Sequence, residues 1–256
     1  AINDDPDDFQ KRTNYPLIIK IIRWTQRAVC DKSAKVIVPS FYLRGVIENW
    51  PVDLAKIEIV YNAPRDFVNS EPRALIRKKL GWEENFIILS IGRLTPWKGF
   101  DGLVDLMSKF AKTQPRARLV IVGSGPCESS LKQQAARLNL FNVSFIGGLS
   151  QEKIENYLKA ADVFVLVSQY EGLSHVLLDA LALNLPVVAS NVGSNAEIIK
   201  HNVNGLMVDW GDATALEKAL EKVIKEKLVA SAGLLNKELF SWPIIFKKTL
   251  EIFGDV

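Results

Sequence analysis

The chain is expected to fold as an α/β protein built on a doubly wound parallel sheet. Three observations carry this: six short apolar runs rich in β-branched residues recur between 86 and 209, helical patterns separate most of them, and the residues after each run are mostly Gly or Ser. A βαβ crossover buries both faces of its strands, so such strands read as continuous apolar runs. With 256 residues, 48% of them hydrophobic, the chain has ample material for that core.

In order along the chain, an acidic opening, AINDDPDDFQ, precedes YPLIIKIIRWTQRAV at 15–29, whose apolar residues fall at helical spacing. AKVIVPS at 34–40 and KIEIVYN at 56–62 read as strands, too few for an independent α/β domain. NAPRDFVNSEP at 62–72 has the Pro, Asn and Ser content of a linker. The main domain, about 82–230, contains FIILSIG at 86–92, RLVIVGSG at 118–125, VSFIG at 143–147, DVFVLVS at 162–168, PVVAS at 186–190 and GLMVD at 205–209. Helical stretches are expected at 97–112 and 127–138. In ELFSWPIIFKKTLEIFGDV, Pro243 interrupts the pattern and an amphipathic helix follows.

Composition removes several functions. The formal charge of +3, from 32 basic and 29 acidic residues, is spread along the chain and too mild for nucleic acid binding. Cys30 and Cys127 stand far apart without Cys/His metal spacing, so neither a disulfide framework nor a zinc site is expected, and a reducing cytoplasm fits. No apolar run approaches the ~20 residues that cross a bilayer, and the acidic start does not resemble a secretory leader. Without an initiator Met, the chain reads as a fragment. The D-P-D triplet at 5–7 follows no strand and is not expected to hold a metal.

Doubly wound sheets bind ligands beyond the carboxyl ends of their strands. In IGRLTPWKG at 91–99, Arg93 and Lys98 flank a turn between strand and helix, where helix-end N–H groups already favour an anion. Two cations there suit a diphosphate. GSGP at 123–126 permits close backbone approach, but it lacks a third Gly and no ribose-binding acid follows at 142–145, which counts against hydride transfer with NAD. In SQYEGLSHV, Glu171 follows a strand end, Gly172 allows backbone approach and Ser174 can cap a helix. That helix is apolar nearly all round except for Asp179, a carboxylate that needs a partner: either the hydroxyls of a ligand or a structural Lys or Arg. His175 could cap, donate to phosphate or shuttle a proton. His201 lies in a polar loop and is read as solvated.

IGRLTPWKG, VGSGP, VSFIGGLSQEKIENYLKAADVFVLVSQYEGLSHVLLDALALNLPVVAS and VGSNAEII, in that order, resemble the carboxyl-terminal domain of retaining glycosyltransferases of family 4, which have the GT-B fold. The resemblance runs from about residue 34 to the end. It implies a remnant of the amino-terminal acceptor domain at 1–62, a linker at 63–81, a Rossmann-like nucleotide-sugar donor domain at 82–235 and a crossover helix at 236–256. Arg93 and Lys98 match the basic pair on the donor diphosphate, Glu171 the first acid of the E-x7-E motif, which contacts the transferred sugar, and Asp179 the second, which binds the ribose; these positions, with Arg93, Lys98 and Glu171 as catalytic, form the expected site. Gly172, Leu173, Ser174, His175, Val176 and Leu177 match the stretch whose backbone holds sugar and phosphates. Gly92, Gly123 and Gly125 line the same strand ends, and Ile146 and Gly147 belong to the loop near the base. The Asp at 179 is one methylene shorter than the usual Glu. The implied reaction moves a sugar from a UDP-, GDP- or ADP-linked donor to a glycan or lipid-linked acceptor with retention, in glycan or cell-envelope polysaccharide synthesis, with no cofactor and no metal. The alternative is a nucleotide-sugar-binding module without chemistry of its own, completed by a separate acceptor domain. The helix with Lys20, Arg23, Arg27, Ile18, Ile22 and Trp24 could rest peripherally on the inner face of a membrane; packing of its apolar face on the preceding domain is the favoured reading.

Overall fold

A computed structural model describes residues 17–68, 71–226, 235–236 and 238–254. The acidic opening with its D-P-D triplet lies outside them. After helix α1 (Leu17–Lys32) come strand β1 (Val36–Val38), helix α2 (Phe41–Glu48) and strand β2 (Ile57–Ile59), which pairs in parallel with β1. Helix α3 (Arg73–Leu80) leads into β3 (Phe86–Ile91), α4 (Phe100–Thr113), β4 (Ala117–Val122), α5 (Glu128–Arg137), β5 (Val143–Gly147), α6 (Gln151–Ala160), β6 (Val163–Leu166), α7 (His175–Ala182), β7 (Val187–Ser190), α8 (Asn195–Ile198), β8 (Leu206–Val208) and α9 (Ala213–Glu226). Helix α10 (Trp242–Gly254) ends the described chain.

Among the described residues the main sheet has six parallel strands in the order β5-β4-β3-β6-β7-β8. The doubly wound sheet read from the apolar runs is therefore present, with each run at its expected place. Both faces are covered: Ile87, Leu89 and Ile91 of β3 join one buried cluster with Leu158, Leu177, Leu178 and Leu181, while Ile88 joins the other with Phe100, Leu103, Phe110 and Leu220. Side chains alternate across a strand, so only two covered faces can make Ile87, Ile88 and Leu89 all fully buried. The chain winds outward from β3 through β4 to β5, then returns to place β6 on the other side of β3. The helices that follow β3 and β6 pack on opposite faces of the sheet, so this strand pair is its switch point, the place where open α/β sheets bind ligands.

Two helices were not expected. Helix α2 is short, and α3 lies inside the stretch 63–81 read as linker, with Ile76 of α3 in the core. Pro243 is the second residue of α10, a first-turn position where its missing N–H costs nothing, so it opens the helix.

At the amino ends of the strands α3 supplies a polar hub. Arg77, 8% exposed, donates to the carbonyls of Ala160 (2.7 Å), Trp82 and Asn85 (both 2.6 Å) and to Asp162 (3.0 Å). Asp162 in turn accepts from the Ile87 N–H at 2.7 Å and from Arg73 at 2.6 Å. Arg77→Met would leave three carbonyls and a carboxylate short of a donor, and is expected to lower unfolding free energy by on the order of 3–5 kcal/mol, read from urea denaturation.

Candidate active site

The carboxyl ends of the strands carry the expected residues, and their loops meet backbone to backbone. Gly123, at φ +139°, lies so close to the loop after β3 that a Cβ there would stand 1.9 Å from the Gly92 carbonyl oxygen. Gly193, after β7, is pressed likewise on the loop after β6, its Cβ direction 2.0 Å from the Glu171 carbonyl oxygen. No side chain fits at either place. Gly92 N–H bonds to Val122 O at 3.0 Å, Gly123 N–H to Gly147 O at 2.8 Å and Ser194 N–H to Glu171 O at 3.1 Å. Gly125 packs against the Leu94 backbone. The two glycines of GSGP thus serve loop packing.

The loops after β3 and β6 are joined by the Gln169 N–H on Trp97 O at 2.7 Å, and they bring Lys98 and Glu171 together. Lys98 Nζ lies 2.5 Å from Glu171 Oε1, with Glu171 7% exposed. Arg93, on the same loop as Lys98, is exposed, as is His175 at the start of α7; Ile146 is partly exposed at the end of β5. Ser174 caps α7, its hydroxyl accepting from Leu177 N–H at 3.3 Å. Leu173 and Val176 pack against the core as partly buried side chains, while Gly172 lies against Leu43 of α2.

Two expected residues are otherwise engaged. Leu177 is fully buried and its N–H is taken by Ser174. Asp179, 1% exposed, accepts from Arg65 three times: the backbone N–H to Oδ1 at 2.9 Å, Nε to Oδ2 at 2.7 Å, and a terminal guanidinium nitrogen 2.5 Å from Oδ2. The buried carboxylate has the structural partner that was the alternative to a ligand. Arg65 thus fills three of the carboxylate's roughly four acceptor positions, one of them on Oδ1.

Sequence reasoning missed the polar links from the amino-terminal part. Ser40, fully buried, donates to Gly172 O at 2.9 Å while capping α2. Glu197 accepts from the first two N–H groups of α2, Phe41 and Tyr42, both at 2.9 Å, a favourable place for a carboxylate at a helix amino end. Tyr61 donates to the same carboxylate at 2.9 Å. The sequence signal was a Ser followed by an apolar helical stretch at 40–47, an N-cap pattern.

A six-stranded parallel sheet wound outward in both directions from β3 and β6, with helices on both faces, is a Rossmann-like domain. Residues 72–235 match the family model of glycosyl transferases group 1, and the chain belongs to that family. It is 33% identical to an uncharacterized glycosyltransferase of Methanocaldococcus jannaschii over 219 residues, 81% of this chain and 55% of the relative. It is also 32% identical to a GDP-mannose-dependent monoacylated alpha-(1-6)-phosphatidylinositol monomannoside mannosyltransferase of Corynebacterium glutamicum, over 71% of this chain and 51% of the relative. The chain spans about half the length of these curated relatives. Among solved structures it resembles Anabaena HepE in complex with UDP and glucose, with a TM-score of 0.82 and 22% identity over 93% of this chain and 67% of the other. Sucrose-phosphate synthase of Thermosynechococcus elongatus follows at TM-score 0.76 and 24% identity, over 92% and 61%. The fold is that of GT-B glycosyltransferases. No helix among the described residues is long and apolar enough to cross a membrane.

The Tyr61 hydroxyl is held well above the ordinary tyrosine range, first by burial and then by the hydrogen bond and charge of Glu197. The folded chain therefore keeps a proton that the unfolded chain releases near pH 10, so this contribution is whole below about pH 10 and declines above it by up to about 1.4 kcal/mol per pH unit. Tyr61→Phe is expected to flatten that alkaline decline in denaturation measured between about pH 9 and 11.

Proposed function

We propose that this chain is the donor half of a retaining glycosyltransferase, which transfers a sugar from a nucleoside diphosphate to an acceptor hydroxyl. The observation that carries the reading is the Lys98–Glu171 pair at the switch point, with Arg93 on the same loop as Lys98. A diphosphate placed beside Arg93, Lys98 and the amino end of α7 meets two cations and a helix end, while Glu171 is near enough to accept hydroxyls of the adjoining sugar.

As the bond from anomeric carbon to phosphate oxygen breaks, its electron pair goes to the phosphate, and Arg93 and Lys98 stabilise the charge where it grows. The acceptor oxygen bonds to the anomeric carbon on the face the phosphate leaves, and the departing phosphate takes the acceptor's proton. The reaction then requires neither a protein base nor a resident metal or cofactor. Leu17, Ile18 and Trp24 on α1 and Phe246, Leu250 and Phe253 on α10 are exposed, which favours as a second reading a sugar-nucleotide-binding module completed by a separate acceptor domain. Relatives and structural neighbours named for GDP-mannose or UDP support a nucleotide sugar as donor. A glycan or lipid-linked acceptor, in glycan or cell-envelope polysaccharide synthesis, belongs to the same reading.

Calorimetric titration with UDP, GDP and ADP is expected to show binding of one of them in the micromolar to millimolar range. Each charged contact contributes about 1.5–3 kcal/mol, so Arg93→Ala combined with Lys98→Ala should weaken binding at least about a hundredfold. Glu171→Gln should leave the diphosphate bound and remove the gain contributed by its sugar. A folded chain that binds none of the three, or binds equally well without Arg93 and Lys98, would sink the reading.

A further inference from the structure

The segment after β2 crosses α7 at two points. Arg65 holds Asp179 through its backbone and guanidinium, and three residues earlier Asn62 Nδ2 lies 3.1 Å from His175 Nε2. His175 and Asp179 are four residues apart on α7 and so share a face, which makes Asn62 and Arg65 two ends of one strap along it. Trp242, from α10, donates to Pro64 O at 3.1 Å and holds the middle of the strap.

The chemistry of the Asn62 contact is one-sided. An amide NH2 only donates, so His175 Nε2 must accept, and the proton of the neutral ring sits on Nδ1. His201 provides the opposite case in the same chain: its Nδ1 accepts from the Met207 N–H at 3.0 Å, which leaves the proton on Nε2. The two histidines of the sequence are thereby fixed in opposite tautomers.

We propose that this strap is part of the donor site: Arg65, anchored on Asp179, sets Asn62, and Asn62 fixes His175 as a neutral Nδ1–H donor at the amino end of α7. This rests on the reading that a diphosphate binds there. Asn62 and Arg65 are then positioning residues, and Asp179 serves as their anchor. A tautomer that donates from Nδ1 adds one directed N–H to the backbone N–H groups of the helix end, and does so without a further full charge.

The test is long-range 1H–15N NMR of the 15N-labelled chain at about pH 9, well above the ordinary imidazole value of ~6.5. Two opposite tautomer patterns are expected, and His201→Gln should remove the Nε2–H one, leaving the Nδ1–H pattern to His175. Asn62→Ala and Arg65→Met should each turn His175 toward the Nε2–H form while His201 stays unchanged, which also reports that the fold is intact. In titrations with whichever of UDP, GDP or ADP binds, Asn62→Ala should weaken affinity about three- to tenfold, the effect of one neutral hydrogen bond, with no further loss on adding His175→Ala. The proposal is overturned if His175 is Nε2–H in the unaltered chain, if it stays Nδ1–H in both strap variants, or if a bound diphosphate is indifferent to Asn62→Ala. If the tautomers behave as expected and no diphosphate binds, the strap exists but the donor-site reading fails, and the strap's role in that site falls with it.

Discussion

The site depends on loops that touch through their backbones. Where Gly123 meets the Gly92 carbonyl and Gly193 meets that of Glu171, even a methyl group would collide. Close approach lets the N–H of one loop bond to the carbonyl of the next, so the crossings after β3, β4, β5, β6 and β7 form one hydrogen-bonded unit. A strand end held this way has little backbone freedom. Lys98 and Glu171 come from loops 73 residues apart in the chain and still meet at 2.5 Å.

The two ends of the sheet do different work. At the amino ends, Arg77 and Asp162 satisfy carbonyls and an N–H that the strand ends leave open, a buried network whose members each have several partners. Such a network is costly if any member is missing, which suits a purely structural role. At the carboxyl ends, Arg93 and His175 are exposed. That arrangement leaves capacity for a ligand, in keeping with the general placement of sites in open α/β sheets.

The amino-terminal part is joined to the main domain by polar contacts of high sequence separation. Ser40 bonds to Gly172, Glu197 receives the amino end of α2 and the Tyr61 hydroxyl, and Asp179 receives Arg65. All three fall beside the loops that carry Glu171 and His175. A movement of the amino-terminal part would therefore be felt directly at the turn that precedes α7. This is a physical basis for coupling between the two parts of the molecule, since each bond links a residue before 66 to one at or after 172.

Much of the fold was legible in the residues. Burial on both faces of a parallel sheet demands continuous apolar strands, and those runs mark all six strands of the main sheet to within three residues. The candidate pair Lys98 and Glu171 could be named because ligand sites lie beyond strand ends, and strand ends were visible. Helices α2 and α3 were not, because each has only eight residues and a weak pattern, and Pro, Asn and Ser just before α3 read as linker. Asp179 announced that it needed a partner, since a carboxylate in an apolar helix is costly alone. Which partner was beyond reach: Arg65 stands 114 residues away, and periodicity reports only which face of an element is covered. The sequence by itself determined the class of fold, the strand ends and the need for a counter-charge; tertiary structure alone decided that Arg65 supplies it, because long-range pairing depends on how separate elements meet in space.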